Sequence, residues 1–244
     1  MRSVPPTPTQ SQQDPDFIRG TFSSIAGRYD FANHALSGGA DFLWRDLAAR
    51  IVRSWQPDTI LDLATGSGDL ALVLAKKNPA AQVIAADFCE PMLRQAQRKA
   101  VPNLVAADGT QLPFAAAAFD ALTVAFGLRN MSTYDGALAE MARVLRPGGH
   151  VLILDFSLPS SPPLRAAYRF YLHRILPTLA GLATGRPEAY AYLGESIEAF
   201  PRGEAMLDRM TSAGFTRAAA RPLWCGIVTI YTATRDATAE PTET

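Results

Sequence analysis

The residues of this chain able to do chemistry stand at the ends of apolar runs. In LDLATGSGDLA, Asp62 lies four residues before Gly66, and Thr65, Gly66, Ser67 and Gly68 make a turn of small residues. Gly66 and Gly68 let the backbone turn tightly and come close to a ligand. Gly66 to Ala71 also spells the dinucleotide fingerprint G-x-G-x-x-A. Asp62 redirects that reading. A carboxylate at the strand end repels a pyrophosphate and attracts a cationic amino-acid group, such as the methionyl ammonium of S-adenosylmethionine.

Asp87 closes the run VIAAD, 19 residues after Gly68. An acid at that distance can accept hydrogen bonds from both hydroxyls of a ribose, or can cap the helix that follows. Asp108-Gly109 ends a third run. There the acid suits an adenine amino group, and the glycine leaves room for the ring. The fourth run, ALTVAFGL, ends in Arg129-Asn130. A cation and an amide at that place face whatever the crevice holds. The alternative is an ion pair of Arg129 on the surface, with an acid such as Asp135 or Asp155.

Strand and helix must alternate to bring these points together. TILDL, AQVIAAD, NLVAAD, FDALTVAFGL and HVLILDFS read as strands, the third ending near Asp108. Helical patterns separate them, and residues 136–146 put Leu138, Met141 and Leu145 on one face, with RPGG as the stop. The spacing predicts an α/β fold with a mostly parallel sheet covered on both faces. RAAARPLWCGIVTIYTATR reads as two strands without a helix between them, an antiparallel hairpin on the sheet. Residues 17–55 read as a helical cap broken at Ser37-Gly38-Gly39. Residues 157–200 are a helical insertion, in which Leu164, Tyr168, Tyr171, Leu172 and Ile175 share a face. Residues 1–16 and 236–244 are polar and expected to be disordered.

Bulk properties narrow the class. The 244 residues make one domain, and 48% hydrophobic content supports a large core. With 23 basic and 23 acidic residues the net charge is zero, which speaks against a nucleic-acid binder. Cys89 and Cys225 form neither a disulfide framework nor a CxxC pair, so a reducing cytosol is expected. Three scattered histidines, His34, His150 and His173, give no metal-ligand spacing. No apolar run approaches the ~18 residues that span a bilayer. The N-terminus carries no secretory signal and no Arg-rich amphipathic helix, which speaks against a mitochondrial precursor.

As one set, the three strand-end acids, the glycine turn, LRPGG and the C-terminal hairpin resemble the class I S-adenosylmethionine methyltransferases. RYDFANHALSGG, LDLATGSGDLA, DGTQLPF, FGLRNM and LRPGGHVLILDFS, in this order, are similar to the quinone-ring C-methyltransferases. The match runs from about Phe22 to Arg235 and includes YLGESI. The resemblance implies a seven-stranded Rossmann-like fold and methylation of demethylmenaquinol, or of the matching ubiquinone precursor, at a ring carbon. It implies that Ser67 contacts the methionine part of the cofactor, Asp87 the ribose, and Asp108-Gly109 the adenine. Arg129 and Asn130 would face the quinol, and Tyr29, Asp30 and Asn33 would close over the sulfonium. Asp30 and His34 are the candidates for a base, with His173 placed to meet the quinol. Some members carry serine at Ala125, and related enzymes often have glycine where Ala64 stands, a change expected to be without consequence. A polyprenylated acceptor implies an apolar channel along the insertion and transient contact with a membrane surface through Arg165, Arg169 and Arg174. A homodimer is also expected. The rival readings are a methyltransferase for another phenolic or lipid acceptor, an NAD-dependent oxidoreductase, and a binding module without activity.

Overall fold

The computed structural model describes residues 39–178 and 187–237, with backbone alone at 187–191. The expected helices before Gly39, and with them Tyr29, Asp30, Asn33 and His34, lie outside the described residues, as do 1–16 and most of the C-terminal tail.

Helix α1, Ala40–Ser54, precedes strand β1, Thr59–Leu63, and helix α2, Asp69–Lys77. Then come β2, Gln82–Asp87, α3, Glu90–Arg98, and β3, Leu104–Ala106. Strand β4, Phe119–Ala125, leads through a 3-10 turn, Leu128–Asn130, into α4, Tyr134–Val144, and β5, Leu145–Phe156. Helix α5, Pro162–Phe170, α6, Pro187–Ala199, and α7, Glu204–Ser212, precede β6, Phe215–Leu223, and β7, Val228–Arg235. The sheet order is β3-β2-β1-β4-β5-β7-β6. The first five are parallel, and β7 runs antiparallel between β5 and β6. The order reverses at β1, so the crevice beyond the C-terminal ends of β1 and β4 is where this architecture receives ligands.

Strand residues alternate between two cores. Leu61, Leu63, Val151 and Ile153 pack on one face with Leu138 and Met141 of α4 and Met206 and Met210 of α7. Ile60, Leu152 and Leu154 pack on the other with Trp44 and Ala48 of α1 and Leu70 and Leu74 of α2. Both sheet faces are buried, which is why the parallel strands read as unbroken apolar runs.

Four local expectations need correction. The fourth strand, read through Leu128, stops at Ala125, because Phe126 takes a left-handed φ of 59 and a 3-10 turn follows. Strand β3 stops at Ala106, short of Asp108, which sits in a loop and bridges to Gln111. Helix α4 stops at Val144, before RPGG, because Leu145 is already extended. LRPGG belongs to β5: Phe119 pairs with Leu145 and Ala121 with His150, so the residues between bulge out of the ladder. Pro147 has no N–H to donate, and a bulge is where a sheet accepts it. Leu145 is therefore a buried strand residue, not a helix-face one. The insertion also departs from a single stripe. A π turn, Tyr171–Ile175, follows α5 and shifts the phase, so Leu172 and Leu176 are buried while Leu164 and Ile175 face outward.

Candidate active site

The glycine turn is built around Asp62. Its carboxyl is 1% exposed and accepts hydrogen bonds from Thr65 Oγ1 at 2.6 Å and Thr123 Oγ1 at 2.7 Å. Thr65 N donates to Ala86 O at 3.0 Å, and Gly68 N to Thr65 O at 2.9 Å. Asp62 thus ties the turn to β4, and Thr65 ties it to β2. Gly68 adopts φ 85, and a Cβ there would stand 2.3 Å from Val101 Cγ2, so only glycine fits. Ala64 also takes a left-handed φ of 53. The substitution expected to be harmless therefore carries backbone strain. Burial raises the Asp62 carboxyl to about 6, against the opposing hydrogen bonds from Thr65 and Thr123 and the field of Arg45.

Asp87, at the end of β2, accepts Gly66 N on Oδ2 and Cys89 N on Oδ1, each at 2.8 Å. It holds the crest of the turn and caps the entry to α3 together. Burial raises its carboxyl, and the backbone donors of Cys89, Gly66 and Phe88 oppose the shift. A carboxylate has about four acceptor sites, so these three backbone donors leave room for a ribose hydroxyl. Asp108 is exposed and turned onto Thr110 N and Thr110 Oγ1, at 2.8 and 2.7 Å. At Gly109 a Cβ would lie 2.8 Å from Met131 Sδ. The loop after β3 is thereby pressed against the loop that carries Arg129 and Asn130.

Arg129 leaves the 3-10 turn pointing inward and is 4% exposed. Its NH1 donates to Phe126 O at 2.5 Å and to Asp155 Oδ1 at 2.7 Å, with the guanidinium carbon 5.4 Å from the Phe156 ring centroid. Asp155 ends β5 fully buried, and its Oδ2 accepts no hydrogen bond among the described residues. The ion pair considered for the surface is therefore interior. Asp135 pairs instead with Arg209 at 2.6 Å. Asn130 Oδ1 accepts a hydrogen bond from Tyr192 OH at 3.3 Å, which brings the inserted helix α6 onto the site. Burial raises the phenols of Tyr168 and Tyr192, and the charge of Arg129 opposes it in both.

Sequence reasoning passed over Lys99. Its Nζ donates to Ser67 Oγ at 3.1 Å and Asp69 Oδ1 at 2.5 Å, at the start of α2. A lysine ending one helix gives no local sign that it reaches back 32 residues to the glycine turn. The remaining histidines have structural partners: His150 stacks on Trp55 at 4.8 Å, and His173 meets Glu198 at 2.9 Å. Cys89 is buried at the start of α3.

The model of the ubiE/COQ5 methyltransferase family matches residues 9–235. The chain belongs to that family. Demethylmenaquinone methyltransferase of Thermus thermophilus is 48% identical over 200 residues, covering 80% of this chain and 91% of that one. The ubiquinone/menaquinone biosynthesis C-methyltransferase UbiE of Syntrophotalea carbinolica is 42% identical, covering 89% and 93%. Among solved structures, an S-adenosylmethionine-dependent methyltransferase from Thermotoga maritima superposes with a TM-score of 0.63 at 15% identity, over 90% of this chain and all of that one. That likeness speaks to the fold, a Rossmann-like class I methyltransferase. The enzyme is a C-methyltransferase with S-adenosylmethionine as its cofactor.

The residues fit that cofactor. The turn at Gly66 and Gly68 leaves no side chain in the way, Asp87 keeps free acceptor sites, and Asp62 supplies an anion behind the turn. This predicts a pH dependence. A cationic ligand favours ionised Asp62, so S-adenosylhomocysteine, which carries the same ammonium, should bind about tenfold more weakly at pH 5 than at pH 7. The affinity should level off above the Asp62 value of about 6. In Asp62→Asn the dependence should vanish. Titration calorimetry across this range checks both, and a flat wild-type profile would remove Asp62 from the ammonium's field. Stability runs the opposite way to affinity. A raised carboxyl costs the fold nothing below its ordinary value of 3.8, and a growing amount as pH rises to about 6.

Proposed function

We propose that, in the ring C-methylation of quinone biosynthesis, the acceptor of this enzyme is demethylmenaquinol and the product menaquinol. The equivalent ubiquinone precursor is the second reading, since one relative carries both pathways in its name. The observation that supports a hydroquinone is Arg129, a cation fixed at the mouth of the crevice with the Asn130 amide beside it. A hydroquinone ring carbon becomes a nucleophile when an adjacent hydroxyl gives up its proton and charge moves into the ring. The ring carbon would take the methyl as the methyl–sulfur bond breaks, and would then lose its own proton so that the ring returns to the aromatic quinol. When bound, S-adenosylmethionine supplies that electrophilic methyl.

The protein's part is alignment and charge. Holding carbon, methyl and sulfur in line is worth about 7–11 kcal/mol. Arg129 stays charged throughout and has five donors, of which the pair with Asp155 uses a part. Donors fixed before the reaction stabilise the developing phenolate without reorganising. In this reading Asp62, Thr65, Gly66, Ser67, Gly68, Asp87, Asp108 and Gly109 hold the cofactor. Asp62 acts through its field rather than by contact, because it is 1% exposed behind the turn. In the same reading Tyr29, Asp30 and Asn33 would close over the sulfonium, with Asp30 or His34 taking the hydroxyl proton.

The test is methyl transfer from labelled S-adenosylmethionine to reduced demethylmenaquinone and to the demethylated ubiquinone precursor, in separate detergent reactions. Label on the first, at a kcat/KM at least tenfold above the second, is expected. Equal transfer would make the enzyme bifunctional, and no transfer to either would overturn the quinol reading.

The prenyl tail places this enzyme at the inner face of the membrane in the same reading. No helix among the described residues is long and apolar enough to cross one. Helix α5 and its π turn expose Leu164, Phe170 and Ile175, and Phe170 is 62% exposed. The arginines beside them are partly engaged: Arg165 donates to Pro159 O and Ser160 O, and Arg169 to Glu198. Contact there is thus apolar first and electrostatic second. Phe170→Ser should reduce sedimentation with anionic vesicles severalfold, and equal pelleting with and without vesicles in the wild type would end the idea. The reading includes a homodimer, which light scattering tests: a single mass near 26.3 kDa removes it.

A further inference from the structure

We infer that Tyr192 is a positioning residue that sets the polarity of the Asn130 side chain, so that the amide turns its NH2 toward the acceptor oxygen. The inference rests on the quinol reading of the site and deepens it.

An asparagine amide is nearly symmetrical in shape and opposite in polarity at its two ends. One end helps an oxyanion and the other repels it. Backbone geometry fixes where Asn130 sits, through Asn130 N donating to Gly127 O at 3.0 Å, but not which way its amide faces. The Tyr192 hydroxyl, 3.3 Å away and 62 residues on in the chain, donates to Oδ1. With that oxygen taken by a donor, Nδ2 is left as the end that serves the site. Burial keeps the Tyr192 phenol protonated and so able to donate.

The donor is carried on a helix that is itself held. Leu193 and Ile197 of α6 pack with Leu158, Leu172 and Leu176. Glu198 takes Arg169 at 2.6 Å and His173 at 2.9 Å. Gly194 lets α6 approach the π turn, since a Cβ there would lie 3.3 Å from Leu172 O. The insertion, expected to line an apolar channel, thus contributes a specific polar group to the site.

The experiment compares Tyr192→Phe, Asn130→Ala and the double variant in the full chain. Tyr192→Phe should lower kcat for demethylmenaquinol about tenfold and leave KM for S-adenosylmethionine unchanged. In the Asn130→Ala background it should cost kcat nothing further, because the proposed effect on turnover runs through that amide. Independently of any acceptor, the side-chain amide signals of Asn130 in a 15N-asparagine spectrum, assigned by their loss in Asn130→Ala, should move in Tyr192→Phe. Multiplying losses, or amide signals that stay in place, would overturn the positioning role. Wild type inactive on quinols while the amide signals still move would end the quinol reading and leave the Tyr192–Asn130 link standing.

Discussion

Arg129→Ala is expected to lower kcat by about 10²–10³-fold and to cost about 3–5 kcal/mol of stability. The two losses have different origins. Turnover falls because a fixed cation near the developing phenolate is gone. Stability falls because Asp155, fully buried, loses its cationic partner and keeps its charge with main-chain donors such as Phe156 N, at 2.8 Å. Burial already raises the Asp155 carboxyl and Arg129 is the main opposing influence. Removing Arg129 raises it further. The stability penalty should therefore be largest at high pH and shrink as pH falls and Asp155 takes up a proton. Replacing both partners, Arg129→Met with Asp155→Leu, should recover most of the stability and none of the turnover, because an apolar pair of similar volume needs no desolvation. Urea unfolding at two pH values and single-turnover methyl transfer separate the effects. Recovery of turnover in the apolar pair would make Arg129 a purely structural residue. Arg129→Lys should fall between, since one ammonium cannot hold Phe126 O and Asp155 and still present a planar fork.

What could be seen before the structure, and what could not, divides by sequence distance. Asp62 and Asp87 stand where the apolar runs said they would, because a parallel strand buried on both faces is legible residue by residue; the fourth strand, read through Leu128, stops at Ala125, and the 3-10 turn Leu128–Asn130 carries Arg129. The third strand misled for the same reason. LVAADG continues in small residues past the end of pairing, and only partner geometry stops the ladder at Ala106. LRPGG carries strong helix-stop letters, yet it belongs to β5 through the distant pairing of Leu145 with Phe119, and Arg235 of the last strand donates to Leu145 O. The insertion's stripe assumed a constant 3.6-residue period, and one π turn broke it. Lys99 and Tyr192 were invisible as site residues because their partners lie far along the chain and no local pattern marks the contact. Asp155 was foreseen as a partner of Arg129 but not as a buried one, since burial of an ion pair depends on the layers packed above it.

Gly127→Ala is expected to destabilise the protein by about 3 kcal/mol, and Ala64→Gly to remove most of that cost. Gly127 is buried with φ −114, a conformation open to any residue, so glycine is not required there by the backbone. It is required by space: a Cβ on Gly127 would stand 2.4 Å from the Cβ of Ala64. Both atoms hang directly on the main chain, so neither can turn aside, and the loops after β1 and β4 must separate. Those loops carry the Thr65–Gly68 turn and Arg129, so separation opens the crevice where cofactor and acceptor meet. Ala64 itself sits at φ 53, which costs about 1–2 kcal/mol relative to an unstrained residue. Glycine at 64 relieves that strain but gives the unfolded chain more freedom, so Ala64→Gly alone should lie near wild type. In the double variant the new methyl meets Val124 Cγ1 at 3.5 Å and the Cα at position 64 at 3.7 Å, both ordinary contacts. The two changes should therefore couple by about 2 kcal/mol in thermal or urea unfolding, and S-adenosylhomocysteine affinity should fall in Gly127→Ala and return in the double variant. Strictly additive effects would mean that the loops yield at little cost and that their contact does not hold the crevice closed.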